Sequence, residues 1–299
     1  MRLALGYLLS FFYAVALFSS AQAHDILQIP MDSPFYDFCA GMDAFQHLDG
    51  DHSALTEHHP APCLCGEKWH TLKASLRLNT TSSNPLSNDS FTGFQDLLTL
   101  EAFCRQNLRI SLTHLAGKPS LHMANRGVDD GTVGRIASLL EDAHLSNLVA
   151  VPESIMAWDF SAFTRTPSMQ PHSWAELAPY HVAYNRGWII LDHAIRTTKS
   201  TVRTQDSVQL LTLLAKNRVD VVVVEKWQGL AAASQIGMQP LYLVNPPLAS
   251  QPMYLFLHRN HRDLVKPLAA TLQQMKQDGT YQAIFAHTLQ PLIAPIVTP

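Results

Sequence analysis

The chain has 299 residues, of which 47% are apolar, 15% are charged and 9% are aromatic. This composition excludes a disordered tail protein and a collagen-like repeat, and it supplies enough apolar material for one large core or two smaller ones. The formal net charge of −3 leaves no basic footprint, so we expect no nucleic-acid partner. Histidine is the unusual residue, with 15 copies.

The chain begins with a segment typical of a secretory signal peptide. Arg2 precedes an apolar run over Leu3–Phe18, and the small-residue pattern Ala21–Ala23 follows. The apolar run is shorter than the roughly 20 residues that span a bilayer, which disfavours the alternative of an uncleaved membrane anchor. The sequence predicts a signal peptide over residues 1–23, cleavage after Ala23 and a periplasmic protein.

Residues 24–71 read as an irregular extension rich in histidine and cysteine. Residues 24–70 hold six of the 15 histidines and three of the four cysteines, and Pro, Gly and Asp interrupt any periodicity. Because export favours disulfides, we expect Cys39 to pair with Cys63 or Cys65. Cys104 lies in a predicted helix, either as a buried thiol or as a second partner.

The extension also suggests a metal site. Cleavage would free the amino group of His24, and an amine together with an imidazole can chelate copper. Cys63, Cys65 and His70 would add thiolates and an imidazole, which suit Cu(I) or zinc. The alternative is a disulfide-pinned, solvated extension without metal. No motif requires a cofactor, so copper or zinc is the only cofactor that the sequence suggests.

From residue 72 onward, short strands alternate with helices, which predicts an α/β fold with mainly parallel sheets. In chain order the predicted elements are strand 72–80, helix 93–106, strand 108–115, helix 118–127, a strand start at 128–131, extended segments 148–153 and 154–164, helix 173–177, strand 181–185, helix 187–196, strand 201–205, helix 207–218, strand 219–225, helix 226–237, strands 241–244 and 252–259, and two closing helices over 261–290.

Four segments in this order carry a resemblance to a known family. They are SLHMANRGVDDGTVGR, SWAELAPYHVAYNRGWIILDHAI, LLTLLAKNRVDVVVVE and LFLHRNHRDLVKPLAATLQQMKQDGTYQAI. Together they resemble the family 3 periplasmic solute-binding proteins of ABC transporters, over roughly residues 72–290.

The resemblance implies a two-lobed, type II fold with two hinge strands. Lobe 1 would comprise residues 72–156 and 251–290, lobe 2 residues 157–250, and a C-terminal tail residues 291–299. It further implies a monomeric, non-enzymatic protein that captures a small molecule in the interlobe cleft for a membrane transporter permease.

Ligand-binding candidates follow from loops at strand ends. Gly131–Arg135 is expected as a turn after a short strand: glycines admit a ligand, and an arginine clamps a carboxylate. A helix start near Trp188 offers free N–H groups to an anion. A carboxylate at Glu225 matches the acidic residue with which the family pairs a ligand amine. The full set is Thr80, Thr132, Gly134, Arg135, Tyr184, Asn185, Gly187, Trp188, Glu225 and Trp227.

Two other function classes remain open at this point. One is a periplasmic metal-binding or redox-partner protein that uses the N-terminal extension. The other is a dehydratase-like enzyme, because some dehydratases share the fold. The common catalytic motifs, such as Gly-x-Ser-x-Gly, His-Glu-x-x-His and the phosphate loop, do not occur in the sequence, which favours a binding protein.

Overall fold

A computed structural model describes residues 63–65, 71–72, 74–115 and 118–293. The strands are β1 (Ala74–Thr80), β2 (Arg109–His114), β3 (Gly131–Ile136), β4 (Leu148–Ala150), β5 (Met156–Thr164), β6 (His181–Asn185), β7 (Ser200–Thr204), β8 (Val221–Glu225), β9 (Tyr242–Leu243) and β10 (Ala249–His258). The α-helices are α1 (Phe94–Arg105), α2 (Lys118–Asn125), α3 (Ile189–Ala194), α4 (Ser207–Ala215), α5 (Lys226–Gln235), α6 (Arg262–Gln277) and α7 (Thr280–Thr288). The predicted signal peptide lies outside the described residues.

The strands form two α/β halves joined by two crossing strands. The order is β2-β1-β3-β10-β5-β8-β6-β7, with β4 paired to β10 and β9 to β5. Strands β1, β2 and β3 are parallel, as are β6, β7 and β8, whereas β5 and β10 are antiparallel to their neighbours. This confirms the predicted two-lobed architecture. The predicted lobe boundaries, at residues 156/157 and 250/251, fall inside β5 and β10.

Local sequence patterns explain the elements that hold the lobes together. Strand β8 is a run of four valines and a glutamate, buried along its whole length, as expected for a strand covered on both faces. Helix α6 places Val265, Leu268, Leu272 and Met275 at spacings of three and four residues, so that one apolar stripe faces the core.

The segment predicted as a ligand-facing turn is instead strand β3. Gly131 pairs with Leu78 of β1 on one side and Leu257 of β10 on the other. A Cβ added at Gly131 would lie 2.4 Å from the carbonyl oxygen of Phe256. A glycine is therefore required here, not for a ligand, but because two strands approach closely. The predicted helix 173–177 is a short 3-10 turn, Ala175–Leu177.

The predicted disulfide between Cys39 and Cys63 is wrong, because Cys63 is bonded to Cys104, with a Cα–Cα distance of 5.8 Å. The backbone N–H groups of Cys63 and Leu64 each donate to the carboxylate of Glu101 at 3.0 Å, and the Leu64 side chain is fully buried. These contacts hold the backbone at Cys63 against Glu101, which lies about one helical turn before Cys104. Cys39, and with it the alternative pairing with Cys65, lies outside the described residues.

No α-helix within the described ranges is both long enough and apolar enough to cross a bilayer.

Candidate functional site

The two lobes meet where β1 and β8 end. Ser83, in the loop after β1, donates a hydrogen bond from Oγ to Oε1 of Gln228 at 2.8 Å. Gln228 lies in the first turn of α5, directly after β8. The carboxyl ends of strands are where open α/β folds bind ligands, so this contact marks a candidate cleft, here called the seam.

Lobe 1 contributes a buried amide to the seam. Ser82 donates from Oγ to Oε1 of Gln95 at 2.5 Å, and Gln95, at the start of α1, is fully buried. Its Nε2 has no hydrogen-bond partner among the described residues. Buried polar groups are nearly always satisfied, so an unpartnered amide beside a cleft indicates a place for a ligand atom.

Gly134 lies beside the side-chain amide of Gln95. Its φ is +74°, and an added Cβ would lie 3.0 Å from Oε1 of Gln95 and 3.1 Å from Oγ of Ser82. Glycine is required at this position both by the left-handed backbone and by the close approach of two polar side chains.

Lobe 2 contributes a buried carboxyl. Glu225 is fully buried at the end of β8, and its Oε2 accepts a 2.9 Å hydrogen bond from the backbone N–H of Gln228, which caps α5. Its Oε1 has no partner within the described part of the chain. Burial raises the pKa of the Glu225 carboxyl to about 8, more than the capping N–H lowers it, and the nearby Asp159 raises it further. The carboxyl is therefore mostly protonated at neutral pH.

Three aromatic rings line the lobe 2 side of the seam. Trp188, just before α3, lies with its ring centroid 5.8 Å from that of Trp158 and 5.5 Å from that of Phe160. Phe160 pairs with Glu225 across β5 and β8, which places the aromatic wall next to the buried carboxyl. The indole Nε1 of Trp158 is buried and has no partner among the described residues.

Arg135 is buried and is surrounded by hydroxyl groups. It donates from Nε to Oγ1 of Thr132 at 2.9 Å, from Nη1 to Oγ1 of Thr81 at 3.3 Å, and from Nη2 to Oγ of Ser120. Burial lowers the pKa of the guanidinium to about 10, so it stays charged at neutral pH. No ion pair within the described residues includes Arg135. An uncompensated buried cation favours a nearby anion.

Several predicted residues are engaged within their own lobe. Thr80 accepts from the backbone N–H of Ser82 at 3.1 Å and so shapes the loop after β1. The hydroxyl of Tyr184 donates to Asp192 at 2.8 Å and accepts from Arg203 at 2.6 Å. These contacts involve the hydroxyl groups of both residues, and their ligand roles stay predictions.

The remaining candidates differ in how they face the seam. Asn185 donates to Oγ of Ser207 at 3.1 Å, inside lobe 2. Gly187 has a φ of +84° and open space where a Cβ would stand, beside Trp188. Trp227 packs edge-on against Phe285 of α7, with centroids 5.4 Å apart, rather than against the aromatic wall.

The predicted metal site loses one ligand. Cys63 cannot serve as a thiolate, because its sulfur is bonded to Cys104. His24, His70 and the side chain of Cys65 lie outside the described residues. Within the described ranges, no three His, Cys, Asp or Glu side chains come together as a possible metal site.

A depression of about 150 Å³ lies beside the second half of α5. Its lining includes Leu230, Met238 and Leu292, from α5, the following loop and the C-terminal turn. It contains none of the unpartnered polar atoms described above, so the seam is the better candidate for ligand binding.

Sequence reasoning missed Gln95, Gln228, Ser82 and Ser83. The available signal was a polar amide in the first turn of a helix, as at Gln95 and Gln228. Such a residue sits at the strand-end edge of the lobe, where a ligand can reach it.

Comparisons with known proteins identify the fold. No family model matches the chain. A search of solved structures finds the GluR0 ligand-binding core in complex with L-glutamate, with a TM-score of 0.62 and 14% identity over 73% of this chain and 99% of that one. The chain has the type II solute-binding-protein fold. An uncharacterized protein of Shewanella oneidensis is 25% identical over 202 residues, which are 62% of this chain and 72% of that protein.

Two further structures share the fold. A histidine kinase sensor domain with similarity to periplasmic binding proteins has a TM-score of 0.59 and 18% identity, over 73% of this chain and 97% of that one. A mutant of ArgBP from T. maritima has a TM-score of 0.57 and 14% identity, over 72% of this chain and 95% of that one. The similarity confirms the predicted type II fold.

Proposed function

We propose that this protein is an exported solute-binding protein that closes its two lobes on a small molecule at the seam. The observation that carries the proposal is the pair of fully buried, unpartnered polar atoms, Nε2 of Gln95 and Oε1 of Glu225, one from each lobe. Leaving such atoms unsatisfied costs free energy, so a ligand that bonds to both is favoured, and it also holds the lobes together.

The comparisons support a binding role. GluR0 and ArgBP are named for ligand-binding functions, and the GluR0 core holds L-glutamate. In this chain the buried guanidinium of Arg135 donates to Oγ1 of Thr81, the residue before Ser82. Its positive charge favours a ligand with a negative charge.

The proposed setting is the periplasm, after cleavage behind Ala23, where the protein delivers its ligand to a membrane transporter permease. Two measurements test this setting. Amino-terminal sequencing of the secreted protein should begin at His24, and cross-linking in intact cells should trap a membrane permease. A protein that retains residue 1, or that stays in the cytoplasmic fraction, would contradict export.

Ligand capture is tested with the purified secreted protein and a broad library of small solutes, by thermal shift and calorimetry. We expect one class of anionic solutes to raise the melting temperature by several degrees. The shift should be lost in Gln95→Leu and reduced at least tenfold in affinity by Arg135→Met.

Arg165→Lys is the matched control, because Arg165 is an arginine of lobe 2 that bonds to Ala215 and Asn217 away from the seam. Circular dichroism establishes that each variant is folded. Ligand binding that persists unchanged in the folded Gln95→Leu and Arg135→Met proteins would place the site elsewhere.

A further inference from the structure

The loop between β1 and α1, here called the β1–α1 loop (residues 81–93), supplies the hydroxyl groups of Ser82 and Ser83 to the seam. Its backbone is tied to the start of α1, because the N–H of Gln95 donates to the carbonyl oxygen of Leu86 at 2.9 Å. The N–H of Leu86 in turn donates to the carbonyl oxygen of Ser83, also at 2.9 Å. One stretch of backbone therefore sets the positions of Ser83 and Gln95 together.

A buried carboxyl in α1 fastens this loop at three points. Oδ1 of Asp96 accepts a 2.7 Å hydrogen bond from Oγ of Ser87, which is itself fully buried. Oδ2 of Asp96 accepts from the backbone N–H of Asn88 at 3.2 Å and from that of Gly93 at 3.1 Å. Hydrogen bonds to an ionised carboxylate are roughly twice as strong as bonds between neutral groups, so these three hold the loop firmly.

The loop also contains a strained residue, which other contacts keep in place. Phe91 has a φ of +52°, in the left-handed region that a phenylalanine rarely adopts. Such a conformation persists only where neighbouring contacts impose it. The Phe91 ring stacks on the imidazole of His114, with centroids 5.2 Å apart, and Nε2 of His114 lies 3.3 Å from Oγ of Ser87. Ser87 therefore links the outer side of the loop to Asp96.

The partners of Asp96 direct its effect to the loop. None of the ion pairs within the described residues includes Asp96, although a buried carboxyl without a counter-charge disfavours folding. The titratable side chain that faces it is the imidazole of His114, from β2. The three donors to Asp96 all belong to the β1–α1 loop, so the loop that reaches the seam is what this carboxyl stabilises.

We propose that Asp96 is a positioning residue of the seam, which acts through the β1–α1 loop and does not touch a bound solute. It holds Ser83 within reach of Gln228, and it holds the amide of Gln95 at the cleft. This inference rests on the proposed function for the role of the seam, and it deepens that function by assigning the residue on which the lobe 1 side of the site depends.

Asp96→Asn tests the inference on the intact, solute-free protein at pH 8, above the pKa of about 7 to which burial raises the Asp96 carboxyl. The amide of the variant offers one acceptor oxygen instead of two, so part of the loop is released. Hydrogen exchange measured by NMR should be at least tenfold faster at the N–H groups of Leu86 and Gln95.

A second measurement reports on the lobes. Spin labels on non-cysteine side chains replace Arg126 of lobe 1 and Lys216 of lobe 2, both of which are exposed. Electron–electron resonance between them measures the interlobe distance. Because a released loop withdraws Ser83 from Gln228, we expect Asp96→Asn to at least double the share of molecules with long, open distances.

Glu101→Gln is the matched control. Glu101 is a fully buried carboxylate of the same helix, and it accepts from the backbone N–H groups of Cys63 and Leu64 rather than from the β1–α1 loop. This variant should unfold at a lower urea concentration, yet keep the parental exchange rate at Gln95 and the parental interlobe distance. Equal effects of the Asp96 and Glu101 variants on exchange and distance would reduce Asp96 to a general stabiliser and overturn the inference.

Ser87→Ala removes one of the three donors, so its exchange rates and distances should fall between those of the parent and of Asp96→Asn. It also decides the question if Asp96→Asn does not fold. Parental exchange and distances in a folded Ser87→Ala protein would then overturn the inference.

Failure of this inference can be told apart from failure of the proposed function, because neither measurement needs a solute. If no solute in the library binds but Asp96→Asn frees the loop and opens the lobes, the binding role fails and the coupling of Asp96 to closure stands. If a solute binds in a Gln95-dependent manner and Asp96→Asn keeps parental exchange and distances, the binding role stands and the positioning role is wrong.

Discussion

Ser83 and Gln228 are 145 positions apart in the sequence, yet Oγ of the first lies 2.8 Å from Oε1 of the second. One residue follows β1 in lobe 1 and the other opens α5 in lobe 2. A hinge motion that opened the cleft would break this bond, so it contributes to the closed state alone. Its expected contribution is about 1 kcal/mol, which is a factor of about five in an equilibrium constant.

Ser83→Ala should therefore weaken ligand binding about fivefold, mainly through faster dissociation, because closure loses one bond. Stopped-flow fluorescence of the tryptophans at the seam measures the rate. The unfolding midpoint should hardly move. Ser90→Ala, an exposed serine in the same loop, serves as the control. An unchanged dissociation rate in Ser83→Ala would mean that the bond plays no part in closure.

Gly134→Ala should lower affinity for the ligand more than tenfold. The new methyl group would lie within 3.1 Å of Gln95 and Ser82, and it would displace the amide that faces the seam. The left-handed backbone adds a cost of about 1 kcal/mol in stability. Calorimetry and urea unfolding separate the two effects.

Gly237→Ala is the control for Gly134→Ala. Its φ of +60° imposes a comparable backbone cost, but open space surrounds the position of its Cβ. It should lose stability without losing affinity. Equal losses of affinity in both variants would show that strain, rather than displacement of Gln95, causes the effect.

The stability of the protein should fall as the pH rises through neutrality. The pKa of Glu225 is raised from 4.5 to about 8 in the folded state, so only the folded state holds that proton between these values. The stabilisation of the folded state by the Glu225 proton is complete below pH 4.5, and it is lost progressively as the pH rises to 8. We expect a decrease of about 1 kcal/mol between pH 7 and 8, measured by urea unfolding.

Glu225→Gln should flatten the pH dependence between 7 and 8. Asp96 behaves similarly at lower pH, because burial raises its pKa from 3.8 to about 7. Asp96→Asn should therefore reduce the slope of the profile below pH 7, where Glu225 still contributes, and leave most of the slope between pH 7 and 8. A profile that Glu225→Gln leaves unaltered would show that its carboxyl is ionised in the folded protein.

Removal of the Cys63–Cys104 disulfide should destabilise the protein by about 4 kcal/mol, the chain-entropy value for a closed loop with a separation of 41 residues. The paired substitution Cys63→Ser and Cys104→Ser tests this by urea unfolding. Affinity at the seam should stay within twofold. If the paired variant unfolds at the same urea concentration as the parent, the bond contributes nothing to stability.

Local patterns were enough to predict the alternation of strands and helices and the burial of β8. They also predicted that Glu225 stands at a strand end. The role of Gly131 could not be predicted, because its close contact is with Phe256, more than 100 residues away. The pairing of Cys63 with Cys104 depends on Glu101, whose buried carboxylate accepts hydrogen bonds from the backbone N–H groups of Cys63 and Leu64. Nothing in the sequence marks Glu101 for this contact.

The unpartnered atoms at the seam lie beyond sequence reasoning for a related reason. Whether Gln95, Trp158 or Glu225 has a partner depends on which side chains the fold brings near, and a pattern of residue types does not contain that information. The composition of a strand end indicates where a ligand can bind, but not which polar groups the fold leaves for it.

Helix α1 carries Gln95 in its first turn and Cys104 in its last, about 13 Å apart along the axis. Gln95 lies at the seam, and Cys104 is bonded to Cys63. The disulfide therefore ties the segment at residue 63 covalently to the same helix that positions the amide of Gln95 at the seam.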